Sequence, residues 1–437
     1  MKPNTYYLVS LGCAKNTVDS TTMGNLLNRQ GYSFVNDPRK AEFIIVNTCG
    51  FIRPAREEAI ETINELSGHK TKKQYLIAAG CMAEKFSDEI QSHCKKIDAL
   101  IGTRKINQIG QVCNNLRSGN AENSFSSIFD MDRLNQFALQ GNSAYLKIAD
   151  GCSRKCAFCA IPGIKGDWHS RPEEEILKDA ALLNDRGIKE LILIAQDTTA
   201  YGIDRGEKDA LPVLLEKIEK TAPDIPWIRI MYAFPGFVSD HLIDLMSADN
   251  HILPYLDIPL QHASPATLKR MLRPDNMDSV RRTLGYMRER MPEIAIRSTF
   301  ITGFPGETEE EFKDLCQFIG SMEFDRVGVF PYYPEKDTPS AKYADDVPED
   351  VKLERQEQLY LLQQEISHDI NLRYVGKTMN VLVEGIQEDG MLIGRTYRDA
   401  PEIDGLVFVT GEAQIGSIIP VKITGVVGDY DLIGSIE

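Results

Sequence analysis

Asp150-Gly151-Cys152-Ser153-Arg154-Lys155-Cys156-Ala157-Phe158-Cys159 places three cysteines in the spacing Cys-x3-Cys-x2-Cys, and no fourth follows at ligand spacing. Tetrahedral thiolate sites and ordinary iron–sulfur clusters are completed by four protein ligands. A cluster held by three thiolates leaves one iron open to another ligand. The competing reading is a structural zinc site completed by His169 or a more distant group. The surroundings decide the architecture. The run 143–149 reads as a strand and 172–187 as a helix, with Ser170 and Glu173 at capping-box spacing. The cysteines therefore occupy a strand-to-helix loop.

This unit repeats. Further strands are expected at 190–195, 227–233, 255–258, 294–301 and 325–331, with helical stretches such as 264–273 and 307–320 between them. Six βα units fall short of the eight that close a barrel. An open, partial (β/α)6 barrel over 141–370 keeps functional loops at the strand carboxyl ends and leaves a lateral mouth for a large substrate. The other loops and strands of that face carry Gln196, Gln261, His262, Arg297 and Gly303. Backbone near Gly303 is suited to lie against an adenine or ribose, and Gln196, Gln261 and Arg297 to orient polar groups; the alternative for each is a polar turn or cap residue. His262 reads as a hydrogen-bonded structural imidazole.

Residues 1–140 alternate apolar runs with polar helical segments such as 54–67. The runs at 6–10, 43–47 and 75–79 are continuously apolar, as in a parallel sheet covered on both faces. Cys13, Cys49 and Cys81 each follow one of these strands and each adjoins a glycine. Open α/β sheets build their sites at such strand ends. Three thiols from distant sequence can meet on one rim there as a second cluster site, against the alternative of small buried core residues. Cys94, Cys113 and Cys316 show no such placement and read as ordinary residues.

A long charged helix is expected over about 349–373. Residues 371–437 then switch to short alternating strands with glycine turns, a pattern of a small antiparallel β-barrel of the OB type. That segment carries ten acidic residues against five basic, net −5, and the whole chain is −15. Phosphate binding relies on Lys and Arg, so nucleic-acid binding is secondary at most and a basic protein is the better-matched partner. At 437 residues the chain is long enough for about three domains. It has no apolar run long enough to span a membrane and no signal-peptide core after Met1. Nine cysteines, an odd number in so long a chain, fit a reducing, cytoplasmic location.

The Cys-x3-Cys-x2-Cys run, with Phe158 before its last cysteine, resembles the radical S-adenosylmethionine superfamily signature. The order of three-cysteine βα domain, partial barrel and terminal small barrel resembles the methylthiotransferase family over essentially the whole chain. Within it, Ser10-Leu11-Gly12-Cys13-Ala14-Lys15-Asn16, Tyr232-Ala233-Phe234-Pro235 and Arg398-Asp399-Ala400-Pro401-Glu402-Ile403-Asp404-Gly405 are similar to the RimO-type branch. The resemblance implies two 4Fe-4S clusters, one on Cys152, Cys156 and Cys159 that binds S-adenosylmethionine, the other on Cys13, Cys49 and Cys81 that carries sulfur. It implies Phe158 against the adenine, no further catalytic side chain, and a TRAM barrel at the end. The implied substrate is the β-carbon of an aspartate in small-subunit ribosomal protein S-twelve, with an external electron donor and a sulfur donor. The alternatives are a tRNA methylthiotransferase, or a zinc-stabilised ribosome-binding factor without catalysis.

Overall fold

The computed structural model describes residues 4–119, 131, 134–248 and 251–436; Met1 and Glu437, used in the sequence reading, lie outside them. The first domain is a five-stranded, all-parallel sheet: β1 (Thr5–Ser10), β2 (Ser33–Phe34), β3 (Phe43–Thr48), β4 (Tyr75–Gly80) and β5 (Ala99–Gly102), in the order β2-β1-β3-β4-β5. Its apolar runs are continuous because both faces are covered. Phe43, Ile45 and Ile77 pack on the helices Ala14–Arg29 and Ile109–Ser118, while Ile44, Val46 and Leu76 pack on the helix Arg53–His69.

The central domain is an open seven-stranded sheet. It comprises β6 (Phe137–Gln140), β7 (Ser143–Lys147), β10 (Glu190–Ile194), β11 (Trp227–Ile230), β12 (Ile252–Asp257), β13 (Ala295–Thr302) and β14 (Arg326–Pro331), in the order β14-β13-β12-β11-β10-β7-β6. The six expected parallel strands are present, and β6 adds an antiparallel edge. The expected boundary at 140/141 therefore falls inside the β6–β7 hairpin. A small hairpin of β8 (Ala149–Asp150) and β9 (His169–Ser170) brackets the cysteine loop. β11 ends at Ile230, short of the expected 233, because Tyr232 turns the chain at φ +62.

The expected Ser170 capping box does not form. Pro172 is the N-cap of the helix Glu173–Asp185, and the Ser170 hydroxyl instead donates to Asp204 Oδ1 at 2.6 Å. A true capping box stands at Thr308 and Glu311, at the start of the helix Glu309–Met322.

The long helix Glu349–Leu372 leads into β15 (Thr378–Ile386), β16 (Leu392–Arg395), β17 (Val407–Thr410), β18 (Ile418–Val427) and β19 (Asp431–Ile436). These close into a barrel in the order β15-β16-β17-β19-β18, antiparallel except for the parallel pair β17–β19. The segment 395–404 plugs the central sheet near its strand amino ends. Leu382 and Ala400 join the core formed by Tyr145, Ile192 and Tyr255. Around them Arg395 pairs with Glu190 at 2.7 Å, Arg326 with Asp399 at 2.7 Å, Arg398 with Asp325 at 2.8 Å, and Tyr255 donates to Asp404 at 2.7 Å. At this seam the barrel commits two carboxylates, Asp399 and Asp404, and two guanidiniums, Arg395 and Arg398, so its net −5 is not reduced. Among the described residues no helix is long and apolar enough to cross a membrane.

Candidate active site

The three N-terminal cysteine loops meet at one rim, and glycines make that approach possible. A Cβ on Gly12, which sits at φ +90, would lie 2.7 Å from Cys49 Cβ; one on Gly50 would lie 2.9 Å from the Met82 backbone beside Cys81. Asn16, fully buried in the first turn of the Ala14–Arg29 helix, knits the three loops. Its Nδ2 donates to Leu11 O at 2.8 Å and Thr48 O at 3.2 Å, and its Oδ1 accepts from Cys81 Sγ at 3.5 Å. Burial pushes the Cys49 thiol up to about 11 and the Cys81 thiol up to about 12, and each of the two also feels the Cys13 thiol.

The second trio lies on the loop between β8 and β9. Cys152 N–H donates to Gly166 O at 3.1 Å and Cys159 N–H to Cys156 O at 3.1 Å, folding the loop over itself. Burial raises the Cys152 thiol and pushes Cys159 up to about 12. Such thiols are poor free nucleophiles. Metal ligation, which removes the thiol proton outright, suits both trios better. Among the described residues no three His, Cys, Asp or Glu side chains converge on a single-ion site. Cys156 and Cys159 are partly exposed and Cys13 exposed, so each trio reaches an opening. His169, the fourth ligand of the zinc reading, is largely exposed on β9 and lies 4.0 Å from Asp204.

The two trios adjoin. Cys81 packs with Ala160 and Ile164, just beyond Cys159. Lys15, two residues from Cys13, places its ammonium 3.4 Å from the centre of the Tyr232 ring and 3.4 Å from Ala195 O at the end of β10. Between the trios runs a buried charge network. Asp19, on the helix that Cys13 begins, pairs with Lys147 and with Lys165 at 2.7 Å, and Asp150, two residues before Cys152, pairs with Lys147 at 3.2 Å and Lys165 at 3.3 Å. Two cations facing two anions make the junction electrically balanced. The neighbouring lysines hold the Asp150 carboxyl well below the usual range, and the two aspartates hold the Lys165 ammonium well above its own, in both cases against the effect of burial.

The other expected contacts separate. Gln196 joins the junction, its Nε2 donating to Asp150 Oδ1 at 2.8 Å, with Oε1 buried and unpartnered. Gln261 sits at the rim at φ +77, its backbone bridged to β13. Phe158 packs against the apolar group of Leu268, Met271, Ile301, Phe304 and Tyr332. Arg297 is paired with Asp257 at 3.2 Å and Asp404 at 3.3 Å, so its guanidinium fastens the plug. Gly303 donates its N–H to both Glu307 oxygens at 3.0 Å, and a Cβ there would strike Lys352. His262 is structural: Nδ1 accepts from Ser264 N at 3.0 Å and Nε2 lies 3.3 Å from Glu307. Sequence reading missed Asn16, Asp19, Lys147 and Lys165, for which polar and charged residues close to the cysteine loops were the available signal, and Arg273, which lies 117 residues from Cys156.

Comparison with known proteins agrees with this layout. Residues 5–102 match the uncharacterized protein family UPF0004, 146–319 the radical SAM superfamily, and 375–436 the TRAM domain. In solved structures the fold is similar to a radical S-adenosylmethionine methyltransferase, TsrM, from Kitasatospora setae (TM-score 0.56, 13% identity, 88% of this chain and 81% of that one). It is also similar to the cobalamin-dependent S-adenosylmethionine radical enzyme OxsB (TM-score 0.52, 14% identity, 82% and 56%). At such identities the likeness is one of fold. The superfamily match over 146–319, with the three-cysteine loop inside it, gives the class: a radical S-adenosylmethionine domain. Full-length relatives narrow the class. The chain is 43% identical to a protein of Thermoanaerobacter sp. (strain X514) over 98% of each chain, and 44% identical to one of Chloroflexus aurantiacus over 98% of this chain and 99% of that one. Both are named ribosomal protein uS12 methylthiotransferase RimO, and this chain belongs to that family.

Proposed function

We propose that the protein adds a methylthio group to the β-carbon of an aspartate of ribosomal protein uS12, using two 4Fe-4S clusters and S-adenosylmethionine. The observation that carries this reading is the junction of two cysteine trios across one rim, Cys81 against Ala160 and Ile164, in a chain of the RimO family. Cys152, Cys156 and Cys159 would hold one cluster, and Cys13, Cys49 and Cys81 the other. The first cluster and S-adenosylmethionine supply the radical that breaks an unactivated C–H bond, which side-chain acid–base chemistry cannot do.

The chain's own residues have a narrower task. They anchor the thiolates, bury the junction between the trios, and fix the separation of the two sites through the Asp19–Lys165–Asp150 network. Gln196, with its free Oε1, and Gln261 at the rim stand where polar groups of the cofactor would be oriented, with Phe158 beside the loop. Arg297 and Gly303 act one step removed, fastening the plug and the 349–372 helix. An external one-electron donor and a sulfur donor complete the reaction. The nine free cysteines suit the cytoplasm, where thiols stay reduced.

The test is anaerobic incubation of the reconstituted protein with S-adenosylmethionine, reductant, sulfide, a peptide carrying the target aspartate loop, and unmodified tRNA in competition. One methylthio group on the peptide aspartate, read by mass spectrometry, is the expected result. Modification of tRNA alone would overturn the substrate assignment.

A further inference from the structure

The turn after the helix Pro265–Arg270 is pressed against the Cys152–Cys159 loop. Ala157 N–H donates to Met271 O at 2.8 Å, and Leu272 is held at φ +53, a strained value for leucine, so that the chain turns back toward the cysteines. Arg273 follows. It is 9% exposed; its Nη2 donates to Pro259 O, its guanidinium lies 4.1 Å over the Phe234 ring, and its Nη1 points at Cys156 Sγ at 3.7 Å. Nε has no partner, and no carboxylate among the described residues pairs with this side chain.

That isolation sets Arg273 apart. Arg154, within the cysteine loop, is neutralised by Asp197 at 2.9 Å, and the deeply buried Arg355, Arg395 and Arg398 each face a carboxylate. A guanidinium cannot shed its proton, and a charge buried without a counter-charge is strongly disfavoured. Something anionic must lie against Arg273 in the working protein. The group it faces is a candidate cluster ligand: its Nη1–H meets the Cys156 sulfur.

We propose that Arg273 sets the reduction potential of the cluster on Cys152, Cys156 and Cys159; this rests on the cluster reading given above. Hydrogen bonds to ligand sulfurs, net charge and burial govern such potentials. Reduction by an external one-electron donor adds one negative charge to the cluster. A fixed cation donating to a ligand sulfur stabilises the reduced form and raises the potential. Arg273 acts through Cys156, so it is a tuning residue and not a catalytic one.

The experiment uses the full chain carrying Cys13→Ala, Cys49→Ala and Cys81→Ala, reconstituted with iron and sulfide to hold a single cluster. EPR-monitored potentiometry without S-adenosylmethionine reads its midpoint in parent, Arg273→Met, Arg273→Gln and Arg273→Lys. At a fixed potential the reduced-to-oxidised ratio falls at least tenfold in the Met and Gln variants, a downward shift of about 59 mV for a one-electron couple. Arg273→Lys recovers half of it or more. If Arg273→Met fails to hold a cluster, the Gln and Lys variants decide. Midpoints unchanged in all variants would overturn the proposal, as would loss of the cluster from both Gln and Lys, which would make Arg273 an assembly residue. Unchanged midpoints with weakened S-adenosylmethionine binding would also overturn it and assign Arg273 to the cofactor carboxylate. A parent with no iron bound would sink the cluster reading itself, and its iron count tells that failure apart.

Discussion

Asn16→Ala removes the side chain that ties the three N-terminal cysteine loops together. Its Nδ2 leaves Leu11 O and Thr48 O without a donor it supplied at 2.8 and 3.2 Å, and its Oδ1 no longer receives Cys81 Sγ. A buried neutral hydrogen bond contributes about 1 kcal/mol net, and a buried carbonyl left without its donor costs about 1–3 kcal/mol. Two such losses, the one at Leu11 only part-buried, fall in the lower part of that sum and place the destabilisation of the first domain at about 2–4 kcal/mol. Since about 1.4 kcal/mol is tenfold in an equilibrium constant, amide exchange in 43–48 and 75–80 should quicken on the order of 30- to 1,000-fold where it proceeds by opening of this domain. Hydrogen-exchange mass spectrometry reads this directly, with the central strands as internal reference. Iron per chain should fall from about eight toward about four, as the loops no longer present three thiols together. Unchanged protection together with full iron content would refute the claim that Asn16 organises the trio.

Two further outcomes are expected. Asp19→Asn leaves Lys147 and Lys165 with Asp150 alone, so that one buried positive charge goes uncompensated, which costs about 3–5 kcal/mol; exchange in the helix 14–29 should rise, and deoxyadenosine formation should outrun methylthiolation as the two sites lose their fixed separation. Glu190, buried between Arg229 and Arg395, has its carboxyl pushed down to about 2: the two guanidiniums outweigh burial, which opposes the shift. A depressed carboxyl stabilises the fold above its unfolded value near 4.5 and loses that contribution as pH falls toward about 2. Between those values wild-type stability, read by urea unfolding, should drop steeply, whereas Glu190→Gln should start lower and vary less with pH.

The strands before Cys13, Cys49 and Cys81 were legible because a parallel strand covered on both faces writes itself as a nearly continuous apolar run. The cysteine loops were legible because glycine and cysteine stand together at the strand ends. What escaped was set by partners distant in sequence. Arg297 looked like a rim residue, but Asp404, 107 residues on, holds it in the plug. Ser170 had the spacing of a helix cap and went instead to Asp204. Arg273 carried no local signal at all, since its meaning lies in the lack, among the described residues, of a carboxylate paired with it once the chain has folded.

The most direct test of the account counts iron and sulfide in the reconstituted protein and in two triple variants, one with Cys13, Cys49 and Cys81 changed to Ala, the other with Cys152, Cys156 and Cys159 changed to Ala. The account predicts about eight irons in the parent and about four in each variant. Deoxyadenosine formation should persist in the first variant and vanish in the second, and methylthiolation should vanish in both. Equal iron in parent and first variant, or methylthiolated product from that variant, would contradict it.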